Sequence, residues 1–203
     1  MITAGPTWVA IDKVRVISNI ATGQTGILLS RMLSLRAAKV TLLLGSGEIS
    51  FPDKGFRVIR YRFFDELNRL LRDELKTGAY DAVIHSAAVS DYRPEKIYQK
   101  KISSGIKNWG IQLVPTPKLS DNFVFGGKDL LKVGFKFEPG ISDERLICEG
   151  LALRKASNLD LVVANGTGKN GYRAFIVGER VTGPFLSKAI ISKRLCGLLN
   201  KIL

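Results

Sequence analysis

The chain predicts a doubly wound, Rossmann-like α/β fold: a mostly parallel sheet with helices on both faces and a late antiparallel hairpin. Three observations predict it. Short β-rich runs alternate with helical stretches through most of the 203 residues, the order that builds a parallel sheet with crossover helices. Apolar runs such as Val40-Thr41-Leu42-Leu43-Leu44 stop at a glycine, Gly45, as buried strands do. Late in the chain, 173–177 and 181–185 lie close together and read as an antiparallel hairpin.

In chain order, Met1 to Gly5 supplies only a stub of strand before a glycine turn. That requires either a short first strand or a start upstream of Met1, and a short first strand predicts a weakened sheet edge. Gly23 and Gly26 precede or open an apolar, helix-like run. Residues 40–45 and 57–61 read as strands. Phe64, Leu67, Leu70, Leu71 and Leu75 recur at helical spacing, with Asp65 and Glu66 suiting a first turn. Residues 81–86 read as a strand entering a turn. The polar stretch 92–108 reads as an exposed loop or flap. Strands are expected at 130–135 and 160–165, with a helix over 144–156 between them. A closing amphipathic helix is expected over 187–203, with Ser187 as its cap.

Length favours one domain, 1–203, with enough chain for a sizeable core. No run is long and uncharged enough for a membrane span, and no basic region precedes an apolar one at the start, so a cytoplasmic protein without a signal peptide is expected. Cys148 and Cys196 form no C-x-x-C motif, and His85 is the single histidine, so a His/Cys zinc site is not expected. Any metal would be held by oxygen ligands and substrate phosphates, which points to Mg²⁺. The formal net charge of +13 implies anionic partners. The basic residues are spread along the chain, and the RNP1 pattern, zinc-finger spacing and basic-leucine heptads are absent. Nucleic acid and polyphosphate substrates are both candidates, and a solvated basic surface explains the charge as well. A basic nucleotide- or nucleic-acid-binding protein without catalysis is the alternative.

Two segments carry the chemistry. Ile17-Ser18-Asn19-Ile20-Ala21-Thr22-Gly23-Gln24-Thr25-Gly26 offers backbone N–H groups and an amide at a helix start, where an anion is favoured. Neither G-x-G-x-x-G nor G-x-x-x-x-G-K-[ST] is present. His85-Ser86-Ala87-Ala88-Val89-Ser90-Asp91, followed by Lys100-Lys101-Ile102-Ser103-Ser104-Gly105, puts small residues, a carboxylate and lysines after a buried strand. Asp91 falls where open α/β sheets bind ligands, and a turn-stabilising role is its other reading. His85 reads as a structural histidine satisfied by backbone rather than a base. Tyr92 and Lys96 match the Tyr-x-x-x-Lys spacing of short-chain dehydrogenases, but Pro94 removes the helix that spacing needs, so the match is a coincidence. The residues alone lead to a phosphate-binding α/β enzyme of open reaction.

Six segments stand in a fixed order: Ile2-Thr3-Ala4-Gly5-Pro6-Thr7, Ile11-Asp12-Lys13-Val14-Arg15-Val16-Ile17-Ser18-Asn19, Ala87-Ala88-Val89-Ser90-Asp91-Tyr92, Lys101-Ile102-Ser103-Ser104, Val133-Gly134-Phe135-Lys136 and Val162-Val163-Ala164-Asn165. In that order the chain resembles the phosphopantothenoylcysteine synthetase (phosphopantothenate–cysteine ligase) family in its stand-alone form. The resemblance implies a ligase of coenzyme A biosynthesis. The carboxylate of 4′-phosphopantothenate attacks the α-phosphate of CTP or ATP, pyrophosphate leaves, and the amine of cysteine displaces the nucleoside monophosphate. By resemblance, Lys101 stabilises charge at the α-phosphate and Asn19 positions the acyl intermediate. Ala87 and Ala88 admit the pantothenoyl chain, and Asp91 binds it or helps place Mg²⁺. Gly5, Ala21, Gly23, Gly26, Phe135 and Asn165 match nucleotide-site positions. Arg15 matches an arginine that reaches the substrate phosphate of a neighbouring subunit, which implies a homodimer. Often the domain is fused behind a flavin-dependent decarboxylase; that domain is not in this sequence, and no flavin is expected. Pro6 departs from the family by replacing the second glycine of the opening turn, and Ala21 by standing where a serine is usual.

Overall fold

The computed structural model describes residues 1–47, 55–127, 129–169 and 171–203. Among these residues, one large sheet takes its strands from β1 (Ile2–Ala4), β4 (Thr41–Leu44), β5 (Arg57–Arg60), β6 (Ala82–His85), β9 (Leu131–Phe137), β10 (Leu161–Gly168), β11 (Gly171–Val177) and β12 (Val181–Phe185). Two small ladders lie apart from it: β2 (Trp8–Ala10) with β3 (Val16–Ser18), and β7 (Tyr92–Pro94) with β8 (Leu113–Pro115). Across the large sheet the order is β12-β11-β10-β9-β6-β1-β4-β5. Pairing is parallel from β10 to β5 and antiparallel from β10 through β11 to β12. The chain therefore winds outward from β1 in one direction, then returns to β6 and winds outward in the other. Between β1 and β6 lies the topological switch point, where open α/β sheets bind ligands.

The expected strands, helices and hairpin are present. The first strand is indeed short, but the expectation of a weakened edge fails. β1 sits between β4 and β6 in mid-sheet, and Ile2, Thr3 and Ala4 are fully buried. Sequence position says nothing about sheet position in a doubly wound topology, which starts in the middle. The flap expectation is corrected in part, because Tyr92–Pro94 is a strand paired with Leu113–Pro115. Tyr92 and Lys96 thus share no helix face, as Pro94 predicts.

Helices cover both faces. α1 (Gln24–Ser34) and α4 (Lys188–Ile202) pack together on one. There Ile27, Leu29 and Leu33 meet Ile191, Leu195 and Leu199 over Ile2, Leu42, Val133 and Val163. α2 (Phe64–Leu75), α3 (Asp143–Ala156) and a 3-10 helix (Leu119–Gly126) cover the other, over Leu43, Val83, Val162 and Ala164. α2 buries Phe64, Leu67, Leu71 and Leu75, one stripe of a 3.6-residue repeat. Glu66 accepts from the Arg62 and Phe63 amides at 2.7 and 3.1 Å, satisfying N–H groups ahead of the first turn. Ser187 caps α4 by accepting from the Ile190 amide at 3.1 Å. No helix among the described residues is long and apolar enough to cross a membrane. Both cysteines are free, Cys148 exposed and Cys196 buried.

Candidate active site

A cavity of about 770 Å³ opens at the C-terminal ends of the central strands, over the switch point. Its ridge is built from two turns, one after β1 and one after β6. Gly5, at φ 81°, turns the chain where a side chain would meet the Gly45 backbone at 3.1 Å. The Gly5 carbonyl accepts from the Ala88 amide at 2.9 Å, and the Thr7 amide donates to the Ala88 carbonyl at 3.2 Å. Pro6 sits between these two groups and forms a parallel bridge with Ala88. The bridge uses the groups flanking Pro6, so the missing N–H is not called upon there. Buried Thr7 and Ser90 tie the turns again, the Ser90 amide donating to Thr7 Oγ1 at 2.9 Å. From below, the buried Tyr61 hydroxyl donates to the Ala4 and Gly5 carbonyls at 2.9 and 3.1 Å.

Asn19 reaches across this ridge. Its Nδ2 donates to the Ala88 and Val89 carbonyls at 3.2 and 2.9 Å. Among the described residues its Oδ1 takes no protein hydrogen bond, which leaves an acceptor at the cavity. Next in the chain, Gly23 at φ 74° caps α1 without a side-chain hydrogen bond, and the first turn holds no acidic residue. The Gln24 amide donates to Thr22 Oγ1 at 3.4 Å, and the Thr25 and Gly26 N–H groups of that turn are left to an anion. Gly26 brings α1 against β1, since a Cβ there would lie 2.3 Å from Ala4 Cβ.

The strand ends divide the cavity into two lobes. On the α1/α4 face stand Phe135, Asn165, Thr167 and Tyr172, near the Lys188–Gln24 contact of 3.0 Å. On the α3 face stand Ala87, Val89, Phe123, Lys136 and Glu138. Here the charges are paired. Lys118 Nζ lies 2.9 Å from Asp91 Oδ1, and Lys136 Nζ lies 2.8 Å from Glu138 and 3.8 Å from Glu149. The hydrogen bond to Glu138 raises the Lys136 pKa, so that ammonium stays charged. His85 is satisfied by a side chain rather than by backbone: Nδ1 lies 2.7 Å from Thr3 Oγ1, and the ring packs edge-on to Phe123. Burial pushes its pKa down to about 4, so the imidazole is neutral near pH 7.

Of the residues expected from sequence, the cavity brings together Gly5, Asn19, Ala21, Gly23, Gly26, Ala87, Ala88, Asp91, Phe135 and Asn165. Arg15 and Lys101 do not line it. Arg15 pairs with Asp12 at 2.6 Å, donates to the Ile102 carbonyl at 3.1 Å and lies over the Trp109 ring. Lys101 is exposed beside Ile102, whose amide donates to Asp12 Oδ2 at 3.1 Å. Sequence reasoning missed Lys118, Lys188, Thr116 and Tyr172 as lining residues. Lys118 stands in a Thr-Pro-Lys turn and Lys188 follows a helix cap, both detectable signals. Tyr172 is one aromatic in a hairpin and carries none.

No group of three or more potential metal-ligating side chains occurs among the described residues. An all-protein cage is thus absent there, while a Mg²⁺ bound mainly by phosphate oxygens needs only one or two carboxylates. Asp91, exposed at the cavity, fits that lesser demand.

The chain belongs to the family of the DNA/pantothenate metabolism flavoprotein C-terminal domain, whose model matches residues 1–180. It is 32% identical over 209 residues to the coenzyme A biosynthesis bifunctional protein CoaBC of Thermococcus kodakarensis, an alignment covering 100% of this chain and 51% of that protein. The chain thus spans about half the length of this curated relative. Its fold is similar to the DNA/pantothenate metabolism flavoprotein of Streptococcus pneumoniae, with TM-score 0.88 at 23% identity, over 100% of this chain and 98% of that one. It is also similar to a Cab2 variant in complex with phosphopantothenate–cysteine, with TM-score 0.78 at 16% identity, over 99% and 86% of the two chains. At these identities the two structures speak for the fold, which is the one expected from sequence.

Proposed function

We propose that this family member is a phosphopantothenate–cysteine ligase, acting over 1–203 as one domain. In this reading it joins 4′-phosphopantothenate to cysteine through an acyl nucleotide made from CTP or ATP. The observation that carries it is the Asn19 amide, fixed on the Ala88 and Val89 carbonyls with its Oδ1 free at the cavity. An acyl phosphate must be held rigidly while an amine attacks it, and a clamped amide beside small residues supplies that without reorganisation. The relative from Thermococcus kodakarensis, named for coenzyme A biosynthesis, supports the pathway. The phosphopantothenate–cysteine bound by Cab2 supports the substrate pair.

In the first step the pantothenate carboxylate attacks the α-phosphorus and pyrophosphate leaves. The open N–H groups of the α1 first turn hold phosphate oxygens. Lys101 meets the charge that grows at the α-phosphate, swinging in from outside the lining or reaching the site of a second subunit. Arg15 serves the substrate phosphate across a homodimer. Bound with the triphosphate and Asp91, Mg²⁺ would supply charge neutralisation at the leaving pyrophosphate. In the second step Ala87 and Ala88 leave room for the acyl chain and Asn19 orients the intermediate. The cysteine amine attacks the acyl carbon and gives up one proton to solvent, and the nucleoside monophosphate departs with the bonding electron pair.

The test is pyrophosphate release by the purified chain with 4′-phosphopantothenate, Mg²⁺ and either CTP or ATP, with and without cysteine. Release that requires phosphopantothenate, with new phosphopantothenoylcysteine when cysteine is added, is expected with at least one nucleotide. A folded chain that releases none with either would sink the ligase reading.

A further inference from the structure

Two polar atoms in the cavity wall lack partners. Among the described residues, Asn165 Oδ1 and the Tyr172 hydroxyl are buried without a hydrogen bond, and both residues line the cavity. Leaving a buried polar group unpaired costs free energy, so folded chains keep few of them. Two in one stretch of wall call for a ligand that satisfies both. Burial pushes the Tyr172 phenol up to about 12, an effect tempered by the nearby Asn165 side chain, so it remains an O–H near neutral pH.

Strand parity puts them in one lobe. Along β10, Leu161 and Val163 pack into the α1/α4 core, so Asn165 and Thr167 share their face. Tyr172 stands opposite Thr167 on β11 and packs against the same core, as does Phe135 from β9. The neighbouring N-terminus of α1 is the phosphate end of the cavity. This lobe therefore offers an aromatic face, a hydroxyl donor and an amide acceptor beside a phosphate site, a set that suits a nucleoside.

We propose that Tyr172, together with Asn165, reads the base of the nucleoside triphosphate and selects one with an exocyclic amine next to an unprotonated ring nitrogen. The proposal rests on the ligase reading of the same cavity and adds a specificity residue, Tyr172, that the family resemblance did not assign. Asn165 Oδ1 can only accept, so it requires an N–H, which the exocyclic amine supplies. The Tyr172 O–H donates to the ring nitrogen. Cytosine and adenine present this edge. On the same Watson–Crick edge uracil and guanine present a carbonyl beside a ring N–H, which sets an acceptor against the Asn165 oxygen.

The experiment is calorimetric titration of the full chain with CTP, ATP, UTP, GTP and inorganic tripolyphosphate, for the unaltered protein, Tyr172→Phe and Asn165→Ala. The unaltered chain should bind CTP or ATP at least ~10-fold more tightly than UTP or GTP. Tyr172→Phe should shrink that ratio to about twofold and leave tripolyphosphate binding unchanged, because the lost contact is to the base. Without nucleotide, Tyr172→Phe should melt no lower than the parent, since it only removes an unpaired hydroxyl. An undiminished ratio in Tyr172→Phe, no base preference in the parent, or an equal loss of tripolyphosphate binding overturns the proposal. Binding is read without phosphopantothenate or cysteine, so the two readings fail separately. Base-selective binding without pyrophosphate release removes the ligase and keeps the base reader, whereas phosphopantothenoylcysteine formation with unaltered nucleotide selectivity in Tyr172→Phe does the reverse.

Discussion

The ridge at the switch point and the arm beside it are held in different ways. The turns after β1 and β6 are cross-tied by the Gly5, Thr7, Ala88 and Ser90 backbone, by the Thr7 and Ser90 hydroxyls, by Asn19 from above and by Tyr61 from below. The arm, made of β2–β3, β7–β8 and the segment 95–112, centres on one buried carboxylate. Asp12 accepts from the Val14, Arg15 and Ile102 amides and pairs with the Arg15 guanidinium. The ridge is therefore rigid, while the arm carries the cations Arg15 and Lys101 outside the cavity. In the proposed reaction, shape comes from the rigid part and charge from a part that must approach it, either within one subunit or between two.

The sharpest way to break this contrast is Lys101→Ala. Lys101 is exposed and makes no described contact to the ridge, so the melting temperature should not change. Pyrophosphate release should fall by ~10²–10³, the loss typical of a group that meets transition-state charge. Full activity would take Lys101 out of the mechanism and leave the arm without a chemical role.

Asn19→Asp tests the ridge and should do less. The variant keeps the shape but loses both donors and sets a carboxylate against the Ala88 and Val89 carbonyls. Formation of phosphopantothenoylcysteine should fall ~10–100-fold, and pyrophosphate release by less, because activation leans on the arm and the phosphate-binding turn. The two products are measured in parallel; an equal fall in both would mean that Asn19 does not separate the steps.

The two regions also differ in how far sequence revealed them. The ridge was legible mainly through the family resemblance, because glycines and alanines at strand ends serve plain turns as well, and ten of the expected residues do line one cavity. Within the arm, residues 92–108 look like a loop in sequence, since Tyr92–Pro94 is too short to show an alternating pattern before it pairs with Leu113–Pro115, about 20 residues on. The β2–β3 ladder was missed for the same reason. The central place of β1 was hidden because a three-residue stub carries no sign of its neighbours, which topology alone supplies. Tyr172 went unseen because its meaning lies in what it faces across the sheet, where it stands opposite Thr167.

Acid separates the regions in the smallest but most diagnostic way. His85, under the ridge, has its folded pKa pushed by burial from 6.5 to about 4. The unfolded chain takes a proton that the native state refuses, so the His85 contribution to stability falls as pH drops from about 6.5 toward 4, by about 3 kcal/mol. Asp12 answers later. Burial would raise its pKa, but the Val14, Ile102 and Arg15 amides and the Arg15 guanidinium outweigh that and hold it at about 2, below its ordinary 3.8. Its stabilisation is complete above 3.8 and is lost only as pH falls from there toward 2. Urea unfolding across pH should show the first window in the parent and a flattened one in His85→Asn, with the single imidazole reporting its own pKa by NMR. Exchange protection of the Ile102 amide should persist through that first window and disappear in the second. Loss of Ile102 protection near pH 5, together with the ridge, would show that Asp12 is not what holds the arm and that the two regions open as one.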